Sequence, residues 1–241
     1  MIQGRARGTP SEPEIRTCPM NQCPVTNKPK MPETLMDRLK SETAAAHDRT
    51  EAIPFNECII GRTMPQSRYA GQLECWGRVH HVLETSLDAS QDPFIKMVWP
   101  GTAKRAPLIS ADLEWHGEAD APEESRIATT EMVQWVESVA SDDPVKLLGI
   151  LYVLEGSTLG GMILRKHLSE LFDIDGEEGL AYYSVHGRDV MPNWKLFKAR
   201  MNDGVPCPEA QQRIIDAASE TFDRLGKVLM GLSQGLVATG A

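Results

Sequence analysis

The chain has 241 residues, 41% of them hydrophobic and 24% charged, with a net charge of −9. That composition suits one globular domain, or at most two, with a core of useful size. The acidic balance excludes general binding to nucleic acid or to an anionic membrane surface, since both need clustered basic side chains; an anionic ligand must be met by a local group of Lys or Arg. Five scattered cysteines make no disulfide framework, and no charged segment followed by an apolar one opens the chain, so the reducing cytoplasm is the expected compartment.

Residues 1 to about 30 hold Pro10, Pro13, Pro19, Pro24 and Pro29 among polar residues with almost no apolar periodicity, which predicts a disordered tail. Cys18-Pro19 and Cys23-Pro24 lie within it; without a second cysteine pair they are a weak zinc signal, and idle thiols are the default reading. The domain proper is expected over 31–234, with 235–241 a flexible end. Pro32 and Glu33 suit a helix start. Leu35, Leu39, Thr43, Ala46 and His47 then form a stripe at helical spacing. A histidine on such a stripe is usually a packed core residue. Here Lys40 stands two turns before it, roughly 10.5 Å along the same side, and Glu51 one turn after it, where a carboxylate can orient an imidazole. Histidine, acid and distant cation together suit a flat, metal-centred dianion.

A second helix is predicted over Ser67–Leu87 on Tyr69, Leu73, Trp76, His80, Leu83 and Leu87, with His80 and His81 structural or surface residues. Residues 98–124 read as a connection with one short helical piece at Leu108–Trp115, and a third long helix as Glu124–Ala140. Asp142-Asp143-Pro144 is a helix start, with an Asp cap and Pro in the first turn. It launches an apolar stretch running to about Leu171 that carries Gly156, Gly160 and Gly161 at its centre.

Each interior glycine costs a helix about 1 kcal/mol relative to alanine. Gly156 and Gly160 are four apart and share a face of bare backbone, which admits either a flat ligand or a tightly packed second helix. A membrane span is not expected, because Glu155, Ser157 and Thr158 interrupt a stretch barely reaching the roughly 20 apolar residues needed. A phosphate loop fails too: Met162 and Ile163 stand where Lys and Ser/Thr are required. Beyond a glycine-bearing loop come a short basic helix with Lys195, Lys198 and Arg200, and a last helix after Pro208. No convincing strand pattern appears, so the fold is all-α.

Leu39-Lys-Ser-Glu-Thr-Ala-Ala-Ala-His47-Asp-Arg-Thr-Glu51 resembles the proximal-helix motif of heme oxygenases, and Tyr152-Val-Leu-Glu-Gly-Ser-Thr-Leu-Gly-Gly161 the distal helix of their bacterial branch. Gly179-Leu-Ala-Tyr-Tyr183, Lys198-Ala-Arg-Met-Asn202 and Phe222 are similar to the C-terminal part, so the resemblance covers about residues 32–232. It implies a single-domain helical bundle with heme sandwiched between a proximal and a distal helix. His47 would be the axial ligand to iron and Glu51 its partner. Gly156, Gly160 and Gly161 would lie over the distal face, with Ser157 where animal members have an aspartate that organises active-site water. Lys40 and Lys198, with Lys195 or Arg200 as substitutes, would meet the propionates, and Phe222 the heme edge. The implied reaction consumes heme, O2 and electrons from an external ferredoxin or reductase, and yields biliverdin, ferrous iron and carbon monoxide, with heme both substrate and cofactor.

Two rivals stand beside it. A non-catalytic heme sensor or carrier would keep the pocket without turnover, and the tail's Cys-Pro pairs, similar to short heme-responsive motifs, lean that way. A di-iron oxidase needs several inward acids and a Glu-x-x-His pair; none is present, since Glu155 and His167 are too far apart and His80 has no acid three residues before it.

Overall fold

The structure is a computed structural model that describes residues 33–237; the predicted tail with its Cys18-Pro19 and Cys23-Pro24 pairs lies outside them. Among the described residues there are ten α-helices and no strand. The first is shorter than its apolar stripe suggests. Helix α1 (Leu35–Glu42) starts on a capping box, in which the Thr34 hydroxyl accepts from the Asp37 N–H and the Asp37 carboxylate accepts from the Thr34 N–H. It stops at Thr43, whose hydroxyl donates to the Leu39 carbonyl at 2.7 Å while its backbone leaves helical geometry (φ −102°, ψ 0°). The chain resumes as α2 (Ala44–Glu51), so His47 sits on a different helix from Lys40.

Helices α3 (Pro54–Ile60) and α5 (Pro93–Val98) are too short for periodicity to reveal. Between them, α4 (Gln66–Ala89) matches the second predicted helix within two residues at each end. The connection that follows holds a fuller helix than predicted, α6 (Ala106–His116), and α7 (Glu123–Asp142) is the third long one. Asp143 does not cap the next helix. Its carboxylate binds Arg213 at 2.7 Å and Lys146 at 3.4 Å, and a 3-10 turn over Pro144–Lys146 leads into α8 (Leu147–Phe172). That helix ends on Asp173 in the left-handed conformation (φ 54°). Two 3-10 turns, Tyr182–Ser184 and Gly187–Asp189, then precede α9 (Val190–Gly204) and α10 (Pro208–Leu232).

Helix α10 packs against α7 and α8, and α4 against α6 and α7, with Leu147, Leu148, Ile150, Met132, Val136, Ile214, Ala218 and Val228 buried between them. The close helix crossings use glycines other than the central three of α8. A Cβ on Gly149 would stand 2.2 Å from the Ile214 carbonyl oxygen of α10, and one on Gly231 2.5 Å from the Ser125 nitrogen of α7. Tight packing through bare backbone therefore does occur on α8, but at its N-terminal end.

By length and apolar character the segment Pro144–Phe172 could cross a membrane. Half of its most apolar window is buried inside the bundle, and Glu155 within it is engaged by an arginine.

Candidate heme site

His47 projects from α2 with its side chain half exposed. Its Nε2 lies 3.6 Å from a Glu51 carboxylate oxygen and its Nδ1 3.6 Å from one of Asp48, so imidazole and carboxylates sit within 4.8 Å of one another. Neither approach is short enough for a hydrogen bond. The ring is therefore free to turn and present either nitrogen outward while a carboxylate attends the other. Phe222 of α10 meets the ring edge-on, centroids 5.8 Å apart, and keeps it off the core.

The cations sort by helix face. Asp37 on α1 is held below the usual carboxylate range by its bonds to Thr34, and the positive charges of Lys198 and Lys40 add to that effect. Two lysines far apart in sequence thus flank one point between α1 and α9. Lys195 lies one turn before Lys198 and is exposed. Arg200 is about 200° around α9 from Lys198; its guanidinium lies over the loop at Gly101, whose left-handed backbone (φ +84°) leaves the space it fills. It is turned away from the pair.

The three glycines of α8 face three different surroundings. A Cβ at Gly161 would stand 2.9 Å from the Tyr183 ring, so this glycine serves packing. One at Gly156 would touch Trp194 at 3.5 Å, whereas one at Gly160 would meet nothing within 4 Å. The open backbone is at Gly160. Ser157, one residue on from Gly156, donates its hydroxyl to the Leu154 carbonyl at 2.7 Å and is also hydrogen-bonded to Tyr182, a buried phenol whose pKa burial pushes up to about 12. That phenol stays protonated at neutral pH.

Beneath this face lies a polar group the sequence did not announce. Arg105 donates to Glu155 at 2.6 Å and His186 Nε2 lies 2.9 Å from the other carboxylate oxygen, with Arg105 and Glu155 both about 3% exposed. Burial alone would raise the Glu155 pKa; the bonds to His186 and Arg105 outweigh it and hold the group ionised. Glu84 accepts the backbone N–H groups of Arg105 and Ala106 at 2.7 and 3.1 Å, which fixes where the arginine leaves the main chain. His80 sits 3.7 Å from Glu84; burial drives its pKa down more strongly than the carboxylate raises it, so it is neutral, a buried structural histidine. His81 is exposed. Asp112 accepts from the N–H groups of Ala181 and Tyr182, both at 2.8 Å, and pins the segment that carries both tyrosines.

Glu155 stood out in the sequence only as an interruption of an apolar stretch, and Arg105 sat in a segment read as connection. Trp194 gave no signal apart from being aromatic. What these residues do depends on neighbours 50 or more positions away, or on a contact across α8 and α9.

The sequence profile of heme oxygenase matches residues 33–230. The chain belongs to the heme oxygenase family. Heme oxygenase 1 of Bos taurus is 24% identical over 200 residues, 80% of this chain and 69% of the relative. Among solved structures, the heme oxygenase of Leptospira interrogans superposes with a TM-score of 0.74 at 19% identity, covering 82% of this chain and 99% of the other. Heme oxygenase-1 of the cyanobacterium Synechocystis, solved in complex with heme, gives a TM-score of 0.74 at 20% identity over 84% and 93% of the two chains. The helical bundle seen here is thus the heme oxygenase fold, and the family's function is heme degradation.

Proposed function

We propose that the chain degrades heme between α1–α2 on one side and α8 on the other, with His47 as the axial ligand to iron. The observation that carries this reading is a half-exposed imidazole, free of hydrogen bonds, together with open helix backbone at Gly160 in a member of this family. A histidine on an apolar stripe normally packs inward; His47 does not, and a metal-centred ligand gives it a reason. When bound, heme supplies the iron at which oxygen is activated against the macrocycle itself, and an imidazole drives O–O cleavage less than a thiolate would.

The remaining residues bind, orient and handle protons. With iron on one ring nitrogen, Glu51 or Asp48 would close on the other, orient the imidazole and raise its basicity as a ligand. Lys40 and Lys198 meet the two propionates from different helices, Lys195 extends the basic edge, and Phe222 walls the proximal side. Ser157 lacks a carboxylate and gives its one hydroxyl proton to the Leu154 carbonyl, so on this reading its oxygen offers the distal face an acceptor, with the protonated Tyr182 phenol hydrogen-bonded beside it. The Glu155–Arg105–His186 group keeps α8 at fixed depth beneath that face. Biliverdin, ferrous iron and carbon monoxide are the products, and the electrons come from an external ferredoxin or reductase. Cys58, Cys75 and Cys207 are free, which fits a reducing compartment.

The test is the visible spectrum of the hemin-loaded protein, followed in air after a reductant is added. Loss of the Soret band with growth of biliverdin absorption is expected. Intact heme that persists would replace this reading with a carrier or sensor, and absence of hemin binding would end both.

A further inference from the structure

We infer that Trp194 is a specificity determinant of the heme site: it walls off the distal face at Gly156, leaves Gly160 as the open approach, and so selects which edge of the macrocycle is cut. The inference rests on the heme-degrading reading above and adds a residue to which that reading gives no role.

Gly156 and Gly160 are about 40° apart around α8 and about 6 Å apart along it. Equivalent in sequence, they are not equivalent in space. The indole of Trp194 fills the volume above Gly156, with Cη2 and Cζ3 at 3.5 and 3.9 Å from where a Cβ would stand, while above Gly160 there is nothing within 4 Å. Bare backbone at Gly156 thus receives an indole from α9, and only Gly160 is left open.

The indole is held as a wall. On one side it stacks on Phe197, centroids 5.6 Å apart and planes within 21°, and Phe197 is itself buried. On the other it lies 6.1 Å from the Tyr152 ring. Tyr152 in turn hydrogen-bonds with Thr43, the residue at the joint of α1 and α2. Three aromatic rings therefore run from α9 across α8 toward the helix pair that bears His47. A flat macrocycle brought against this face meets the indole at one end and free backbone at the other. Position along α8 becomes one-sided, and with it the edge offered to Gly160. Interior packing resists compression, so an indole supported from behind excludes a ligand rather than yielding to it.

The experiment uses the full chain and its Trp194→Ala and Trp194→Phe variants. Three signals are read: the thermal midpoint without hemin, the heme-methyl proton shifts of the cyanide-bound ferric complex, and the isomer composition of the biliverdin formed. Trp194→Ala is expected to split the methyl pattern into two seatings and to change the minor isomer's share several-fold. Trp194→Phe, which keeps an aromatic wall, restores most of the parent pattern. A folded Trp194→Ala protein with the parent's methyl pattern and isomer ratio overturns the inference, even if its thermal midpoint falls, because that is all a packing role would move. If the alanine variant does not fold, Trp194→Leu reads the same signals with less volume removed, and parent behaviour there is equally decisive against it. A parent chain that binds no hemin defeats the heme-degrading reading itself; a parent that turns over normally beside unaltered variants defeats only the role of Trp194.

Discussion

The two helices to which we assign the walls of the site are held in opposite ways. α2 is eight residues long and buries only Ala46, and its histidine stands in solvent beside two carboxylates that do not quite reach it. α8 is 26 residues long, buries all but Tyr152 of the stretch Leu147 to Glu155, and is pinned from beneath by an arginine and a histidine. One wall is packed by the fold itself; the other, under the proposed function, would be completed by the ligand. A bond to iron can hold a lightly packed helix, whereas open backbone at Gly160 holds nothing and must be kept in place by the rest of the fold.

That contrast fails or holds on measurable effects. The largest is expected at the lightly held wall: His47→Ala abolishes turnover and changes the ferric heme spectrum, with the heme-free protein as stable as before, since little is buried there. An unaltered spectrum would remove His47 as the ligand. Next comes the clamp. Arg105→Ala strands the Glu155 carboxylate in the interior and should cost about 3–5 kcal/mol in denaturant unfolding; a loss below about 1 kcal/mol would mean the carboxylate finds water or another partner. Smaller again, Gly161→Ala forces the Tyr183 ring aside at about 1–3 kcal/mol, while Gly160→Ala, with free space above it, should stabilise the heme-free helix by up to about 1 kcal/mol and weaken hemin binding. If the two alanines behave alike, the assignment of their surroundings is wrong.

The pH dependence offers a further test, through the buried groups of α4, α6 and α8. His80 and His116 are pushed down by burial and stay neutral in the fold. Below the unfolded value of about 6.5 the unfolded chain gains protons that the folded chain refuses, so stability falls as pH drops through that range. Glu155 and Glu84 are held down against the cost of burial; their contribution is complete above the unfolded value of about 4.3 and is lost as pH falls toward their folded values. Asp112, raised by burial, works against them over part of that second range. Denaturation midpoints measured from pH 7 to about pH 3 should therefore fall in two stages. A flat profile between pH 7 and 5 would show that both histidines titrate freely in the folded chain.

Much of this was legible before any coordinates. Repeating apolar positions located the long helices to within a few residues, and the cost of glycines in a helix drew attention to the centre of α8, where Gly160 has open space above it. The spacing of Lys40, His47 and Glu51 was read on one continuous helix, whereas Lys40 lies on α1 and the other two on α2. That reading missed the break at Thr43, whose hydroxyl and N–H both bond the Leu39 carbonyl just as Thr129 and Thr221 bond inside unbroken helices, so nothing local marks the break. The three glycines looked alike in sequence and differ only by what stands above each one.

The sequence by itself determined the helical class, the family motifs and the residue types at the site, because periodicity, caps and spacing are local properties carried by a few neighbouring residues. The tertiary structure alone decided which of Gly156, Gly160 and Gly161 stays open, that Arg200 reaches the loop at Gly101 while Lys198 and Lys40 both act on Asp37, and that Glu155 is a clamped anion. Each of these outcomes depends on a distant segment folding back against α8 or α9, and burial and charge pairing are properties of that assembled space.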